Sequence, residues 1–464
     1  MCIDLLGVLI HIFTEEIMGI ENQIKRISAK GMVGLYDYDI NFQNGDSKLK
    51  AIFSENGCGK TNLLKLIHYV TSGNIEKLQK VPLMPFRELC IKTSMGTILF
   101  EKNENRSVIL SIRDNNEEEL LSEELRAGDL NSASDVELSD EIQDRYIRMS
   151  FNIHEYTGKS VLLGTNRLND TDARTRYRVR MLRKHEAREE TDRDYEVSGN
   201  IIYSVLDDLN YSLVRNAQIA STTSRGSRGV YSKIVKNVLN DRAGLDQRGR
   251  DVRNEIIKKI KHINNIKKLV DKYNLIDFKE FRSIEKEIEA PRSTVREFKS
   301  LYSILIPYFD SLEEKIQDVL PAASLIESFI NAINTMFRDK VITYNIQGAY
   351  GSRNGFTVQS IVAHKNEESL KEIDPADLSS GEKHLIFLLA KVIISATRGD
   401  TLLIIDEPEI SLGMMWQRLF VKYVRKCAAE SGLQIIMATH SPLILDKYEE
   451  IDVSMSKREI RSHM

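Results

Sequence analysis

Apolar and polar residues alternate from Gln23 to Phe42 around Gly31, the pattern of an antiparallel strand pair. Lys50–Phe53 then reads as a short buried strand running into a glycine-rich loop and an amphipathic helix over 62–71, with Leu63, Leu64, Leu66 and Ile67 at helical spacing. Leu89–Lys92, Thr97–Glu101 and Ser107–Ile112 predict further strands of a mixed or antiparallel sheet. From Asp114 to Asp144 the chain turns rich in Glu, Asp, Ser and Asn, which predicts a solvated excursion or a loosely helical insert. Ser160–Gly164 is another buried strand and ends in the polar loop Thr165, Asn166, Arg167.

An arginine-rich stretch follows, with Arg174, Arg176, Arg178, Arg180, Arg183, Lys184 and Arg188, and from there to about Phe337 the periodicity is almost wholly helical. The turn Ser221–Gly229 and a break at Pro291 punctuate it. Apolar positions from Ile256 to Val270 recur at helical spacing, but the heptad is too short for a long coiled coil, so short arms are expected. Alternation returns in Val341–Gln347 and Gly355–Ala363, read as a hairpin that opens the second half of the main domain. A helix over 380–395, the strand Leu402–Ile405, a helix over 414–429 and the strand Gln434–Ala438 complete it. Strands alternating with helices imply an α/β fold: a mixed sheet plus a parallel core flanked by helices, with an inserted α-helical domain. The expected boundaries are 18–168, with the acidic insert at 114–144, then 169–337 for the helical insertion and 338–464 for the return to the core. No internal repeat of convincing period is present.

Composition narrows the function classes. In 464 residues, 42% are hydrophobic and 29% charged, and the formal net charge of -3 excludes a wholly polybasic nucleic-acid binder or an acidic tail protein. Cys2, Cys58, Cys90 and Cys427 have neither CxxC spacing nor a histidine cluster, which argues against zinc or a disulfide framework and for a reducing cytoplasm. The apolar run Ile3–Phe13 is too short to span a bilayer and contains Asp4, so no membrane association is expected. A start at Met18 reads more naturally, with 1–17 then either an appendage or the product of an upstream start.

Ser54-Glu55-Asn56-Gly57-Cys58-Gly59-Lys60-Thr61 follows a strand and opens a helix, as a phosphate-binding loop must. Its glycines let backbone N–H groups turn inward, and the helix N-terminus faces the anion. Asn56, Gly57, Cys58, Gly59, Lys60, Thr61 and Asn62 are the expected ATP-binding residues, with Lys60 on the outer phosphates and Thr61 on Mg2+. Ser54 stands where the GxxxxGK[ST] pattern has glycine. Leu402–Ile405 delivers Asp406, expected to hold Mg2+, and Glu407, expected to act as general base for the attacking water. Leu378-Ser379-Ser380-Gly381-Glu382-Lys383 opens a helix; it reads either as a capped helix start or as a phosphate-contacting loop of Ser379, Ser380, Gly381 and Glu382. Thr439-His440-Ser441-Pro442 ends the last strand, and a histidine at a strand end after the carboxylate pair makes His440 a candidate functional group.

These motifs together resemble the ABC-type ATPases, with 378–383 similar to the signature, His440 to the switch histidine that senses the γ-phosphate and Pro408–Leu412 to the D-loop; no glutamine matches that family's coupling position, since Gln79 precedes the relevant strands. The resemblance implies a P-loop NTPase fold and ATP bound between two copies of the chain. Glu407–Leu412 with Trp416, Gln417 and Thr439–Leu443 resembles the AAA15/AAA21 branch, which includes the OLD ATPases and several anti-phage defence ATPases. Gly413 departs from it, since members usually carry His there. The OLD nucleases continue into a TOPRIM domain; here only about two dozen residues follow His440, too short a stretch to be read as that two-metal nuclease domain. A defence role would therefore use a separate effector. Size and layout resemble the AriA ATPases of PARIS systems, which implies a homo-oligomeric scaffold, a hexamer being one form, holding a TOPRIM nuclease of the AriB type until a phage DNA-mimic protein triggers release. The PtuA ATPases of Septu and retron systems, paired with an HNH nuclease, are the near alternative. RecF- and Rad50-like DNA repair ATPases are another, with DNA contact then expected through Arg174–Arg188.

Overall fold

The computed structural model describes residues 23–126, 140–165, 201–223, 249–289, 295–345, 355–364, 367–445 and 448–457. Arg174–Arg188, Asn166, Arg167, Pro291 and the segment 1–17 lie outside the described residues. The chain forms two compact units: the described residues of Met1–Ser204 with those of Leu378–Met464, and Val205–Asp377.

In the first unit β1 (Ile24–Met32) and β2 (Tyr36–Asn41) pair antiparallel. The turn falls on Val33 and Gly34, both left-handed, rather than on Gly31. After β3 (Leu49–Phe53) comes α1 (Lys60–Thr71), whose Leu63, Leu64, Leu66 and Ile67 are wholly buried. Then β4 (Glu88–Thr93), β5 (Gly96–Lys102), β6 (Val108–Asp114) and β7 (Glu119–Leu125) extend the antiparallel sheet. The expected solvated excursion is thus corrected over Glu119–Leu125, which is an edge strand. Leu121 and Leu125 turn to the core while the glutamates around them charge the edge, and that composition masks the alternation. Beyond 127–139, which lie outside the described residues, α2 (Asp140–Thr157) buries Tyr146, Met149 and Ile153 at helical spacing, and β8 (Ser160–Leu163) follows.

The second unit holds α3 (Ile201–Thr223) from Val205 onward, α4 (Gly249–Ile266), α5 (Lys268–Lys272), α6 (Lys279–Glu289) and α7 (Val295–Met336). The last has 42 residues and so runs about 63 Å, whereas Ile256–Val270, read as too short for a long coiled coil, falls in the shorter α4 and α5. β9 (Lys340–Asn345), β10 (Gly355–His364) and β11 (Glu367–Ile373) form an antiparallel sheet. This hairpin groups with the helices of the second unit rather than with the first unit. Phe356 lies edge-on to Phe329 of α7 at 5.1 Å, and the Asn334 side chain bonds both the N–H and the C=O of Ile342.

Returning to the first unit, α8 (Ser380–Arg398), β12 (Leu402–Asp406), α9 (Met414–Ser431), β13 (Gln434–Thr439) and β14 (Ser454–Lys457) finish the fold. One sheet has the order β14-β2-β1-β4-β5-β6-β7; the other is parallel, β3-β13-β12-β8. The central strands β12 and β13 are buried on both faces, hence their apolar runs. Gln434 joins the two sheets: its Oε1 accepts from Ile24 N at 3.0 Å and its Nε2 donates to Ile24 O at 2.8 Å.

Beneath α1, His68 is buried between Ser160 Oγ on Nδ1 (2.9 Å) and Lys77 Nζ on Nε2 (2.9 Å). An ammonium only donates, so Nε2 accepts and Nδ1–H donates to Ser160. Burial, then the Lys77 charge, push the His68 pKa down to about 3. The unfolded chain therefore binds this proton at pH values where the folded one does not. Stability from His68 is complete above about pH 6.5 and falls as pH drops towards 3, by about 2 kcal/mol at pH 5. Denaturant unfolding at pH 7 and pH 5 measures it; the loss should shrink by that amount in His68→Gln.

Candidate functional site

Because β3, β13 and β12 are adjacent and parallel, their carboxyl ends open on one edge, the usual place for a ligand in such sheets. β3 leads to the loop 54–59, β12 to Asp406 and Glu407, and β13, between them, to His440. Topology thus sets the histidine between the phosphate loop and the carboxylates.

Gly57 and Gly59 both have φ 83°, the left-handed region that lets successive N–H groups face one point. A Cβ on Gly59 would also sit 2.7 Å from Val33 Cγ2, so the β1–β2 turn closes on the loop. Ser54 has no positive φ, and so serine replaces the usual glycine without backbone strain. Tyr38 OH donates to Cys58 O at 2.6 Å and braces the loop from below; burial, with Cys58 beside it, pushes the phenol up to about 12. The Cys58 side chain is buried, so it can offer a ligand its backbone only, whereas Asn56, Gly57 and Thr61 are exposed and Asn62 half-buried.

Lys60 opens α1, and its Nζ donates to Ser54 O (2.6 Å) and Glu55 O (2.9 Å) and stands 3.4 Å from His440 Nδ1. Burial lowers its pKa, against the opposing pull of Cys58, Glu407, Asp406 and Glu409. Thr61 Oγ1 donates to Asp406 Oδ2 at 2.9 Å, bringing the two expected Mg2+ ligands into contact across the site. Glu407 is held at φ 49°, with its N–H on Ala438 O at 2.8 Å and its Oε1 3.7 Å from His440 Nε2. Such a conformation costs a non-glycine residue about 1–3 kcal/mol and is characteristic of functional positions. These residues fit a magnesium nucleotide: a left-handed glycine loop at a helix N-terminus, a lysine at its mouth and two hard oxygen donors already paired. When bound, Mg2+ would neutralise phosphate charge. Asp406 and Thr61 would hold it, and Glu407, expected as the general base, would take the proton of an attacking water.

The expected signature residues form a capped helix start. Ser379 Oγ donates to Glu382 Oε2 at 2.8 Å, Ser379 N–H donates to the same oxygen at 2.7 Å, and Glu382 N–H returns to Ser379 Oγ at 3.3 Å. Ser379 and Ser380 are nevertheless exposed, while Gly381 is buried against the loop after Glu407, where a Cβ would meet Ser411 O at 2.6 Å. At Gly413 a side chain would meet nothing within 4 Å. Three contributors escaped the sequence reading as site residues. Tyr38 carries no local signal. Gln417 bridges Leu412 O (2.8 Å) to Ser441 Oγ (2.6 Å), and Glu409 accepts from His440 N–H at 2.6 Å. A carboxylate following Asp406-Glu407-Pro408 was the available signal for Glu409. Gln79 is buried at the end of the short helix Ile75–Leu78, and the coupling position stays unassigned.

A family model described as "AAA domain, putative AbiEii toxin, Type IV TA system" matches residues 55–446. The chain belongs to this AAA_21 family. The match spans both halves of the ATP site, from the phosphate loop to the segment after His440, so the site is that of an AAA_21 ATPase domain. No curated protein matches the chain in sequence. Among solved structures it is similar to an Smc head domain of Pyrococcus furiosus bound to the C-terminal domain of ScpA, at 13% identity and TM-score 0.38, over 94% of this chain and 96% of that one. An SMC head of Thermotoga maritima gives 10% identity and TM-score 0.32, over 94% and 100%. No helix among the described residues is long and apolar enough to cross a membrane.

Proposed function

We propose that the chain is the ATP-driven switch subunit of a cytoplasmic anti-phage defence system. As a homodimer or a larger ring, a hexamer being one form, it binds Mg-ATP between copies and restrains a separate nuclease until a phage protein, a DNA mimic being one kind, triggers release. The observation that carries this reading is the division of the ATP site. Lys60, Thr61, Asp406, Glu407 and His440 converge at one sheet edge, whereas the hydrogen bonds of Ser379 stay within its own helix start and Ser379 and Ser380 face solvent. Exposed Ile410, Met414 and Met415 beside the 407–412 loop give a second copy an apolar surface to cover. Hydrolysis then depends on assembly, which suits a switch.

The test is phage plating on cells carrying the gene with its flanking genes. Protection is expected with the wild type and is expected to vanish in Lys60→Ala; equal protection by the two overturns the reading. The flanking gene whose loss also abolishes protection identifies the effector, a TOPRIM nuclease on this proposal, and an HNH nuclease would replace that assignment.

A further inference from the structure

We infer that Glu409 is a positioning residue for ATP hydrolysis, which clamps the backbone of His440 and ties the imidazole to the loop that follows Glu407. The inference rests on the ATPase reading of the site. Glu409 leaves the β12 edge two residues after Glu407 and reaches back across the sheet end, where Oε1 accepts His440 N–H at 2.6 Å. That amide is the first beyond the last residue of β13, so the strand ladder no longer holds it. A charged acceptor at this distance is about twice as strong as a neutral one. Glu409 Oε2 is buried without a hydrogen-bond donor among the described residues, although its carboxylate acts on Lys60. A carboxylate oxygen buried without a donor is costly, and proteins keep such groups where their placement matters.

The clamp fixes where the ring stands. With its N–H held, His440 places Nδ1 3.4 Å from Lys60 Nζ and Nε2 3.7 Å from Glu407 Oε1. Lys60 can only donate, so Nδ1 accepts and Nε2–H faces the Glu407 carboxylate. A second tie runs from the same loop through Gln417, which bonds Leu412 O and Ser441 Oγ. Gly381 packs on Ser411 O, so the helix start at 379–382 abuts the same loop. A displacement of that loop therefore moves His440 relative to Lys60 and Glu407.

The experiment compares full-length wild type, Glu409→Ala and Glu409→Gln in Mg-ATP turnover, in affinity for a fluorescent ATP analogue, and in hydrogen exchange at the His440 amide without nucleotide. Glu409→Ala is expected to lower kcat about 10²-fold, the scale of a catalytic group misplaced by an ångström, with affinity nearly unchanged and the amide exchanging at least about tenfold faster. Glu409→Gln keeps a carbonyl acceptor and should recover most of both. Unchanged exchange or unchanged kcat in Glu409→Ala overturns the clamp. A protected amide in a Glu409→Gln chain as slow as Glu409→Ala overturns it as well, since the charge would then act on the reaction directly. A wild type that hydrolyses no ATP instead removes the ATPase reading, and normal turnover in wild type beside unaltered exchange in Glu409→Ala isolates failure of the clamp.

Discussion

Glu407→Gln is expected to bind Mg-ATP with near wild-type affinity and to lose turnover by about 10³-fold, within the range general-base catalysis commonly contributes. The substitution keeps the shape of the side chain, so the left-handed backbone at φ 49° and the N–H bond to Ala438 O should survive. It removes the oxygen that can take a proton from water while leaving Thr61 and Asp406, which touch each other at 2.9 Å, to bind the metal. Affinity measured by calorimetry and turnover measured by phosphate release therefore separate cleanly. Turnover within a few-fold of wild type would remove Glu407 from the role of base. Lost affinity together with lost thermal stability would mean that the strained loop, rather than the proton transfer, had been broken. On the proposed composite site, the same variant should accumulate as a nucleotide-bound assembly, visible as a rise in mass by light scattering when Mg-ATP is added.

The parts of the site legible in the sequence are those whose chemistry is local. Gly57, Gly59 and Lys60 announce themselves because a phosphate loop needs φ > 0 and a cation at a helix start. Leu402–Ile405 and Gln434–Ala438 do so because a strand buried on both faces can only be apolar. Long-range partners leave no such mark. Gln434 bonds the backbone of Ile24 across the sheets, Tyr38 braces Cys58, and Glu409 holds His440, yet a glutamine, a tyrosine or a glutamate at those positions is locally unremarkable. The fold shows the same division. The alternation in 340–364 predicts strands correctly, but pairing pattern alone cannot say which layer covers them, and Phe356 on Phe329 sends them to the helical unit. In β7 the glutamates of a charged edge outweighed the leucines that face inward.

Mixing two inactive variants should restore activity if the site is shared between copies. Lys60→Ala removes the phosphate-loop lysine. Ser380→Arg puts a bulky cation on an exposed position of the helix start and leaves the 407–412 loop of its own chain in place. Each alone is expected to fall about 10²-fold or more in turnover, on the scale of lost electrostatic stabilisation. In a symmetric dimer with composite sites, a mixed pair concentrates both lesions in one site and leaves the other intact. An equimolar mixture, refolded or co-expressed to allow exchange, should then recover about a quarter of wild-type turnover, from half the dimers with one of two sites working. If Ser379 and Gly381 serve the phosphate loop of their own chain, every protomer in the mixture stays defective and no activity returns. The Glu407→Gln experiment cannot make this distinction, because Glu407 and Lys60 lie on the same sheet edge of one chain. Ser380 can, since it faces solvent at the helix start, away from the Lys60, Asp406 and Glu407 of its own chain that the other variant and the base variant test.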